Sequence, residues 1–145
     1  MPVAIRPLEA QDKNAWELLW QGYLEFYETS IAPEVTEATW RRIVDPAGPI
    51  HGLGAFDHGH LLGVVHYLFH PVTWSISPRC YLEDLFVSPD SRRVGAGRAL
   101  IEAVYRAADE VGADQVYWLT AKSNKTARQL YDRVGHVTPF IKYRR

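Results

Sequence analysis

The sequence predicts a single domain of the α/β or α+β class, with a mixed central β-sheet flanked by helices. Its 145 residues match one domain, since domains commonly contain about 100 to 200 residues. In the second half, strand-like and helix-like segments alternate as in a parallel sheet, whereas the first half contains two strand-like runs joined by a tight turn. Hydrophobic residues make up 47% of the chain and charged residues 23%, so one domain over residues 1–145 can bury a core.

The first half is predicted to contain one strand, two helices and a hairpin. A strand at 3–6 is ended by Pro7, and Asp12 is expected to cap the helix after it. In that helix, residues recurring every three or four positions form one apolar and aromatic face: Trp16, Leu19, Trp20, Tyr23, Leu24 and Tyr27. A second helix covers 36–44, and a hairpin with strands at 51–57 and 61–70 turns at Gly59.

The second half is predicted to supply the centre of the sheet. The run YLEDLFV at 81–87 indicates a strand buried on both faces, interrupted only by Glu83 and Asp84. A loop with glycines and arginines leads to a helix that ends at Gly112. The rest of the chain is predicted to form a strand at 116–120, a helix that begins at Ser123 or Asn124, and a last strand at about 137–143.

Charge, cysteine content and hydropathy exclude several classes of protein. Sixteen Lys and Arg against seventeen Asp and Glu give a net charge of -1, so neither a nucleic-acid partner nor an anionic membrane surface is expected. The only cysteine, Cys80, excludes an intramolecular disulfide and a Cys-based zinc site, and it fits a reducing compartment. The start of the chain shows no basic region followed by a long apolar stretch. We therefore expect an unprocessed, cytoplasmic protein without membrane contact.

The run RRVGAGR at 92–98 is a candidate anion site between the central strand and the long helix. Glycines let the backbone approach a ligand, free amides at a helix start face an anion, and arginines add positive charge. A P-loop would need Lys followed by Ser or Thr after Gly97, but Arg98 and Ala99 stand there. The dinucleotide fingerprint would need a small residue in place of Leu100. Neither nucleotide motif fits, and a plain tight turn stays an alternative.

Two motifs together resemble the acetyl-coenzyme A binding region of the GNAT family of N-acetyltransferases. They are Arg92-x-x-Gly95-x-Gly97 after an apolar strand and, further along, Asn124-x-x-Ala127-x-x-Leu130-Tyr131-x-x-x-Gly135. The strings YLEDLFV, VYWLT and LYDRVG narrow the resemblance to the small histone, polyamine and diamine acetyltransferases. The resemblance implies the GNAT fold, a homodimer, and transfer of acetyl from acetyl-CoA by direct attack of a primary amine. That amine would belong to a polyamine, another small molecule or a lysine of a basic protein.

The chemistry implied by the resemblance needs a base and an acid. An alkylammonium of pKa about 10.4 must lose its proton near pH 7, which costs about 4.6 kcal/mol. Glu83 is the candidate base, because a carboxylate in a nearly apolar strand is costly to bury without a role, and the resemblance gives it this one. Tyr131 occupies the motif position that faces the coenzyme sulfur in this family and is the candidate acid. Strand alternation places Asp84 on the opposite face from Glu83, so no carboxylate dyad is expected.

The resemblance also implies which residues hold the coenzyme. The backbone of Leu85, Phe86 and Val87 would pair with the pantetheine arm like an added strand, and Asn124 would bind that arm or cap its helix. The remaining candidates come from the glycine loop, expected to hold the pyrophosphate, and from the second motif: Arg92, Arg93, Val94, Gly95, Ala96, Gly97, Arg98, Ala127 and Tyr131.

Aromatic and acidic side chains are the candidates for the amine site. Tyr23 and Tyr27, with Trp74 and Asp84, could bind an ammonium, although the tyrosines could equally belong to the core. No metal is expected, because the six histidines lack the convergent donors of a metal site. Two alternatives stay open: a transferase for a drug or an amino acid, and a regulatory domain that binds acyl-CoA without turnover.

Overall fold

The structure, a computed structural model, describes residues 3–145, and the side chains of Arg92 and Arg93 lie outside the described part. Apart from two short 3-10 helices at Ala10–Asp12 and Pro89–Val94, the described chain contains nine helices and strands. In chain order they are β1 (Ala4–Pro7), α1 (Lys13–Phe26), α2 (Pro33–Val44), β2 (Ile50–Asp57), β3 (His60–His70), β4 (Arg79–Val87), α3 (Ala96–Val111), β5 (Val116–Tyr117) and α4 (Lys125–Val134).

The strands form one mixed sheet, as predicted. The spatial order equals the chain order, and β1 to β4 pair antiparallel while β4 and β5 pair in parallel. The β2–β3 hairpin turns at His58 and Gly59, whose φ angles of 49° and 82° lie in the left-handed region. Glycine adopts such angles without steric cost, which is why the turn forms here.

Two hydrophobic clusters lie on opposite faces of this sheet. Val64 and Val65 are neighbours in β3 but pack in different clusters, because successive strand side chains point to opposite faces. One cluster joins the sheet to α3 through Leu100, and the other joins it to α1 and α2 through Trp16 and Trp40. The tryptophans of α1 therefore belong to the core, and the carboxyl-terminal end of α1 is left at the edge of the central strand.

The position of Asp12 corrects one expectation about α1. Asp12 precedes the helix, but its side chain makes no cap hydrogen bond to it. The carboxylate instead accepts from Arg6 at 2.8 and 3.1 Å and from the backbone amide of Glu9 at 2.8 Å. The guanidinium and the preceding amide compete successfully for the same oxygens, because charge-assisted hydrogen bonds are stronger than neutral ones.

Strand β4 contains a bulge at Glu83. The register pairs Asp84 with His66 and Leu82 with the next residue of β3, which leaves Glu83 without a cross-strand partner. Leu82 packs in the α3 cluster, whereas Asp84, two residues later, meets His66 beside Trp16 on the other face. The expectation of strict alternation is wrong at this point, because the extra residue of a bulge reverses the facing of the residues after it.

The predicted last strand at 137–143 is also wrong. This part of the chain forms no helix or strand, and β5 ends at Tyr117 instead of continuing to residue 120. Val137, Phe140, Ile141 and Tyr143, whose spacing suggested a strand, are between 75% and 87% exposed. A strand needs a hydrogen-bonded neighbour, and none of the described strands extends alongside this segment.

Candidate active site

The candidate site is a cleft where β4 and β5 separate. The two strands pair only at Cys80 with Val116 and at Tyr81 with Tyr117, and β4 then continues to Val87. The β4 edge at Leu85–Val87 therefore has no strand partner on this side among the described residues. A cleft of about 480 Å³ opens there. Its lining comes from α1, β4, the start of α3, and α4: Tyr23, Phe26, Tyr27, Leu85, Phe86, Val87, Gly95, Gly97, Arg98, Asn124, Thr126, Ala127, Leu130, Tyr131 and Arg133.

The amino terminus of α3 faces this cleft with free backbone donors. Gly95 precedes the helix at a φ of 78°, and no side chain caps it. The amide of Ala99 bonds to the carbonyl of Gly95, so the amides before it have no acceptor within the helix. A Cβ at Gly97 would lie 3.3 Å from Leu130 Cδ2, so glycine keeps this approach open. The geometry suits an anion such as a phosphate.

The motif at α4 has a structural role as well as a place in the cleft. Asn124 Oδ1 accepts from the backbone amide of Ala127 at 3.4 Å, so the asparagine caps α4. Both residues line the cleft. Capping was one of the two uses expected of Asn124, and the donor side of its amide has no hydrogen-bond partner among the described residues.

Tyr131 is half-buried in the wall of the cleft. Its ring lies edge-on to Trp118, with centroids 5.5 Å apart. Burial raises the pKa of Tyr131 above its usual value, and the nearby Tyr27 raises it further. A phenol with a raised pKa keeps its proton at neutral pH, so it can serve as a proton donor but not as a base.

Glu83 and Asp84 lie at the bulge and affect one another. Partial burial raises the pKa of Glu83, the charge of Asp84 adds to this, and His66 opposes it. The two carboxylates are therefore electrostatically coupled, although alternation had placed them on opposite faces. Neither carboxylate lines the cleft, but Tyr23 does. Burial raises the pKa of Tyr23, and the charge of Asp84 raises it further. No hydrogen bond or ion pair engages the Glu83 side chain within the described part of the chain.

Tyr23 and Tyr27 come together at the α1 side of the cleft, whereas Trp74 lies elsewhere. The two tyrosine rings are 5.0 Å apart, and Tyr23 lies 5.9 Å from the ring of Phe86. Trp74 is 93% exposed in the connection between β3 and β4 and does not line this cleft. Tyr23 and Tyr27 therefore line the same cleft as Tyr131, whereas Trp74 does not.

His66 is a residue of this region that the sequence reasoning missed. It is buried, its Nε2 accepts from Trp16 Nε1 at 3.0 Å, and its Nδ1 lies 3.0 Å from Asp84 Oδ2. The available signal was one polar residue inside the apolar run LLGVVHYLF. A buried polar side chain needs partners, and that requirement pointed to neighbouring polar groups.

Two further properties concern metals and membranes. Across residues 3–145, as far as their side chains are described, no three His, Cys, Asp or Glu side chains converge in a way that could hold a metal ion. None of the helices in the described part of the chain is long and apolar enough to span a bilayer.

Comparison with known proteins decides the family. The sequence profile of the Acetyltransferase (GNAT) family matches residues 13–136. The chain belongs to the GNAT family. A D-amino-acid N-acetyltransferase of Saccharomyces cerevisiae is 39% identical over 145 residues, which cover 99% of this chain and 90% of the relative. A thialysine N-epsilon-acetyltransferase of Caenorhabditis elegans is 31% identical over 88 residues, or 61% of this chain and 54% of the relative.

A solved structure shows the same GNAT fold. The aminoglycoside N-acetyltransferase AAC(6')-Iy, in complex with a bisubstrate analogue of coenzyme A and acetylneamine, superposes with a TM-score of 0.83 at 21% identity. The match covers 100% of this chain and 99% of that one. The predicted family and fold are confirmed. The protein is an acetyl-CoA-dependent N-acetyltransferase that acts on an amine.

Proposed function

We propose that this GNAT protein acetylates the amine of a small cationic metabolite, with a free amino acid as the first candidate. One observation carries the proposal: the cleft places the free β4 edge and the α3 amino terminus on the same walls as Tyr131 and the tyrosines of α1. Coenzyme and acceptor sites therefore adjoin. The similarity to a D-amino-acid N-acetyltransferase over 99% of the chain favours a small acceptor.

The walls of the cleft match the parts of acetyl-CoA. The exposed backbone of Leu85, Phe86 and Val87 would pair with the pantetheine arm as an added strand, because its donors and acceptors lack a strand partner there. The amides of residues 93–98 would hold the pyrophosphate, with Arg98 nearby as a cation. Ala127 and Asn124 would contact the arm from α4. The side chains of Arg92 and Arg93, two further candidates, fall in the part that is not described.

The proton transfers are proposed for Glu83 and Tyr131. Acetyl-CoA supplies an activated thioester, and the amine must be neutral to attack it directly. Glu83 would take the ammonium proton, directly or through a water, because its carboxylate is exposed at the bulge and has no partner among the described side chains. Tyr131 would give its proton to the departing sulfur, because its raised pKa keeps it protonated.

The acceptor would approach from the α1 side. Asp84 contributes a carboxylate beside Tyr23, and Tyr27 lies next to Tyr23, so negative charge and aromatic faces occur together. That combination attracts an ammonium group. Trp74 would reach the acceptor only if the exposed β3–β4 connection folds over it, so we propose it only as a secondary contact.

A panel assay tests the proposed reaction. Thiol release from acetyl-CoA would be followed with D-lysine, other D- and L-amino acids, thialysine, spermidine and a histone-tail peptide. We expect a free amino acid to give the largest kcat/KM and the peptide the smallest. Release that no amine stimulates, while coenzyme A still raises the melting temperature, would contradict the proposal and favour a binding domain.

We also propose that the protein is a homodimer joined through its carboxyl-terminal segment, residues 136–145. A groove of about 1160 Å³ runs along β5, α4 and the end of α3, beside this segment. Phe140 and Ile141 are 86% and 78% exposed, so apolar surface is left for a partner to cover.

Light scattering after size-exclusion chromatography tests the dimer. We expect a dimer at micromolar concentration, and a monomer for the double variant Phe140→Asp with Ile141→Asp. The control is Ile76→Ser, which changes a fully exposed apolar residue in the β3–β4 connection. A monomeric wild-type protein would overturn the proposal.

We propose a cytoplasmic location on the basis of the cysteine. The single thiol, Cys80, is fully buried, and burial raises its pKa to about 11, so it is kept as a thiol without a disulfide partner. Cell fractionation tests this, and recovery with a membrane or secreted fraction would contradict it.

A further inference from the structure

A buried histidine with two hydrogen-bond partners lies behind the acceptor side of the site. His66, in β3, is 2% exposed and lies between Trp16 of α1 and Asp84 of β4. Trp16 Nε1 donates to His66 Nε2 at 3.0 Å, and His66 Nδ1 lies 3.0 Å from Asp84 Oδ2. The catalytic roles proposed above use neither Trp16 nor His66.

The chemistry of the three groups fixes where the proton lies. An indole N–H can only donate a hydrogen bond, so His66 Nε2 must be the unprotonated nitrogen. The single proton of the neutral ring is then on Nδ1, which donates to Asp84. A second proton on His66 would set two N–H groups against one another in a buried place. Trp16 therefore favours one tautomer of His66.

The β4 bulge brings this arrangement to the substrate side. Because the strand has an extra residue at Glu83, Asp84 faces His66 and α1 instead of the α3 cluster. Asp84 is 18% exposed, and a carboxylate can accept several hydrogen bonds, so it can accept from a ligand in addition to His66 and the neighbouring Tyr23. The titratable groups near it are His66 from β3, Glu83 and Tyr81 from β4, and Tyr23 from α1. A cation is the ligand that fits two carboxylates and a phenol.

We propose that Trp16 and His66 are positioning residues that keep Asp84 oriented, so that Asp84 binds the ammonium group of the acceptor before deprotonation. The inference rests on the proposed amine site. Its consequence is a division of labour between adjacent carboxylates: Asp84 binds the charged amine, and Glu83 removes the proton. The acceptor class is then an amine that arrives protonated.

Two substitutions at His66 separate positioning from packing. His66→Asn keeps an N–H near the position of Nδ1, and His66→Gln keeps an acceptor near Nε2 but loses the donor to Asp84. The probe is D-lysine titrated calorimetrically into the protein loaded with coenzyme A. We expect His66→Gln to weaken D-lysine binding about tenfold, as for one lost hydrogen bond to a charged group, and His66→Asn to stay within about threefold. The affinity for coenzyme A should not change. Equal effects of both variants would overturn the proposal.

A spectroscopic measurement tests the tautomer without turnover. In protein labelled with nitrogen-15 at histidine, we expect His66 to carry its ring proton on Nδ1 at neutral pH, because Nε2 accepts from Trp16. Trp16→Phe keeps an aromatic ring beside Trp20 and Trp40 but removes the donor to Nε2, and should let the ring proton move to Nε2 in part of the molecules. A proton on Nε2 in the wild type would overturn the proposal.

The same experiments distinguish a failure of the positioning role from a failure of the proposed function. If no amine stimulates thiol release but D-lysine still binds and His66→Gln still weakens it, the reaction is wrong and the positioning role stands. If D-lysine is acetylated and His66→Gln changes neither its binding nor its KM, the positioning role is wrong and the reaction stands. Failure of D-lysine to bind at all would overturn both the acceptor class and the role of Asp84.

Discussion

Replacing Glu83 by glutamine removes the proposed base while keeping the size of the side chain. Deprotonating an ammonium of pKa about 10.4 at pH 7 costs about 4.6 kcal/mol, which is the ceiling for the effect. Glu83 is exposed at the bulge, so water can replace part of its function, and the loss should fall in the lower half of the usual range for general bases. We expect kcat/KM for the amine to fall about 10²- to 10³-fold at pH 7, or about 2.7 to 4.1 kcal/mol in activation free energy.

The pH dependence makes this prediction specific. In Glu83→Gln only the neutral amine reacts, so kcat/KM should rise about tenfold per pH unit until the pH reaches the pKa of the amine. In the wild type, kcat/KM should decrease as the pH falls through the pKa of Glu83. Partial burial and Asp84 raise this pKa above the ordinary 4.5. The deficit of the variant should therefore shrink between about pH 7 and pH 10.

The assay is initial-rate thiol release with the best amine of the panel, at saturating acetyl-CoA. Glu110→Gln is the control, because Glu110 is an exposed glutamate near the far end of α3. A loss of less than threefold at pH 7, or a deficit that stays constant across this pH range, would refute the assignment of Glu83 as base. If Asp84→Asn lost activity while Glu83→Gln kept the wild-type rate, Asp84 would be the base instead.

Three other outcomes are expected from the same structure. Tyr131→Phe keeps the ring against Trp118 but removes the phenolic proton, so kcat should fall about 10²-fold with an unchanged melting temperature; full activity would exclude Tyr131 as the acid. Leu100 is fully buried, so Leu100→Ala should lower the free energy of unfolding in urea by about 2 to 5 kcal/mol, and a smaller loss would show that the α3 core relaxes around the cavity. The hydrogen bond from Arg6 lowers the pKa of Asp12 below 3.8, so its stabilisation is complete above that value and is lost as pH falls through the folded-state pKa. In Asp12→Asn, the free energy of unfolding in urea should therefore fall less steeply as the pH is lowered. An unchanged pH dependence would assign this loss of stability to other carboxylates.

Much of the fold could be predicted because it depends on local periodicity. The spacing of Trp16, Trp20 and Leu24 sets the buried face of α1, and these three residues are buried in the structure. Glycines at 59 and 112 mark a turn and a helix end, because each needs a left-handed φ that other residues adopt at a cost. The glycine loop and the Asn124 motif were sufficient to identify the family, since they also depend on short spacings.

The parts that failed depend on neighbours far away in the chain. A strand was predicted at 137–143, but a strand forms only beside a partner, and no described strand runs beside this segment. The assumption of strict alternation along β4 failed for a similar reason. A bulge is visible only when the register of two strands is known, and the register of β3 against β4 is set by side chains on both.

Residue types at short spacings were enough to establish the fold class, the family, the glycine loop and the candidate pair Glu83 and Tyr131. The folded chain was needed to show that β4 and β5 separate beside α3 and α4, and that Tyr23 and Tyr27 share a cleft with Tyr131. It was also needed to show that His66, 50 residues from Trp16 and 18 from Asp84, bonds to both. Hydrogen bonds between distant residues are fixed by strand register and helix packing, and no local spacing contains that information.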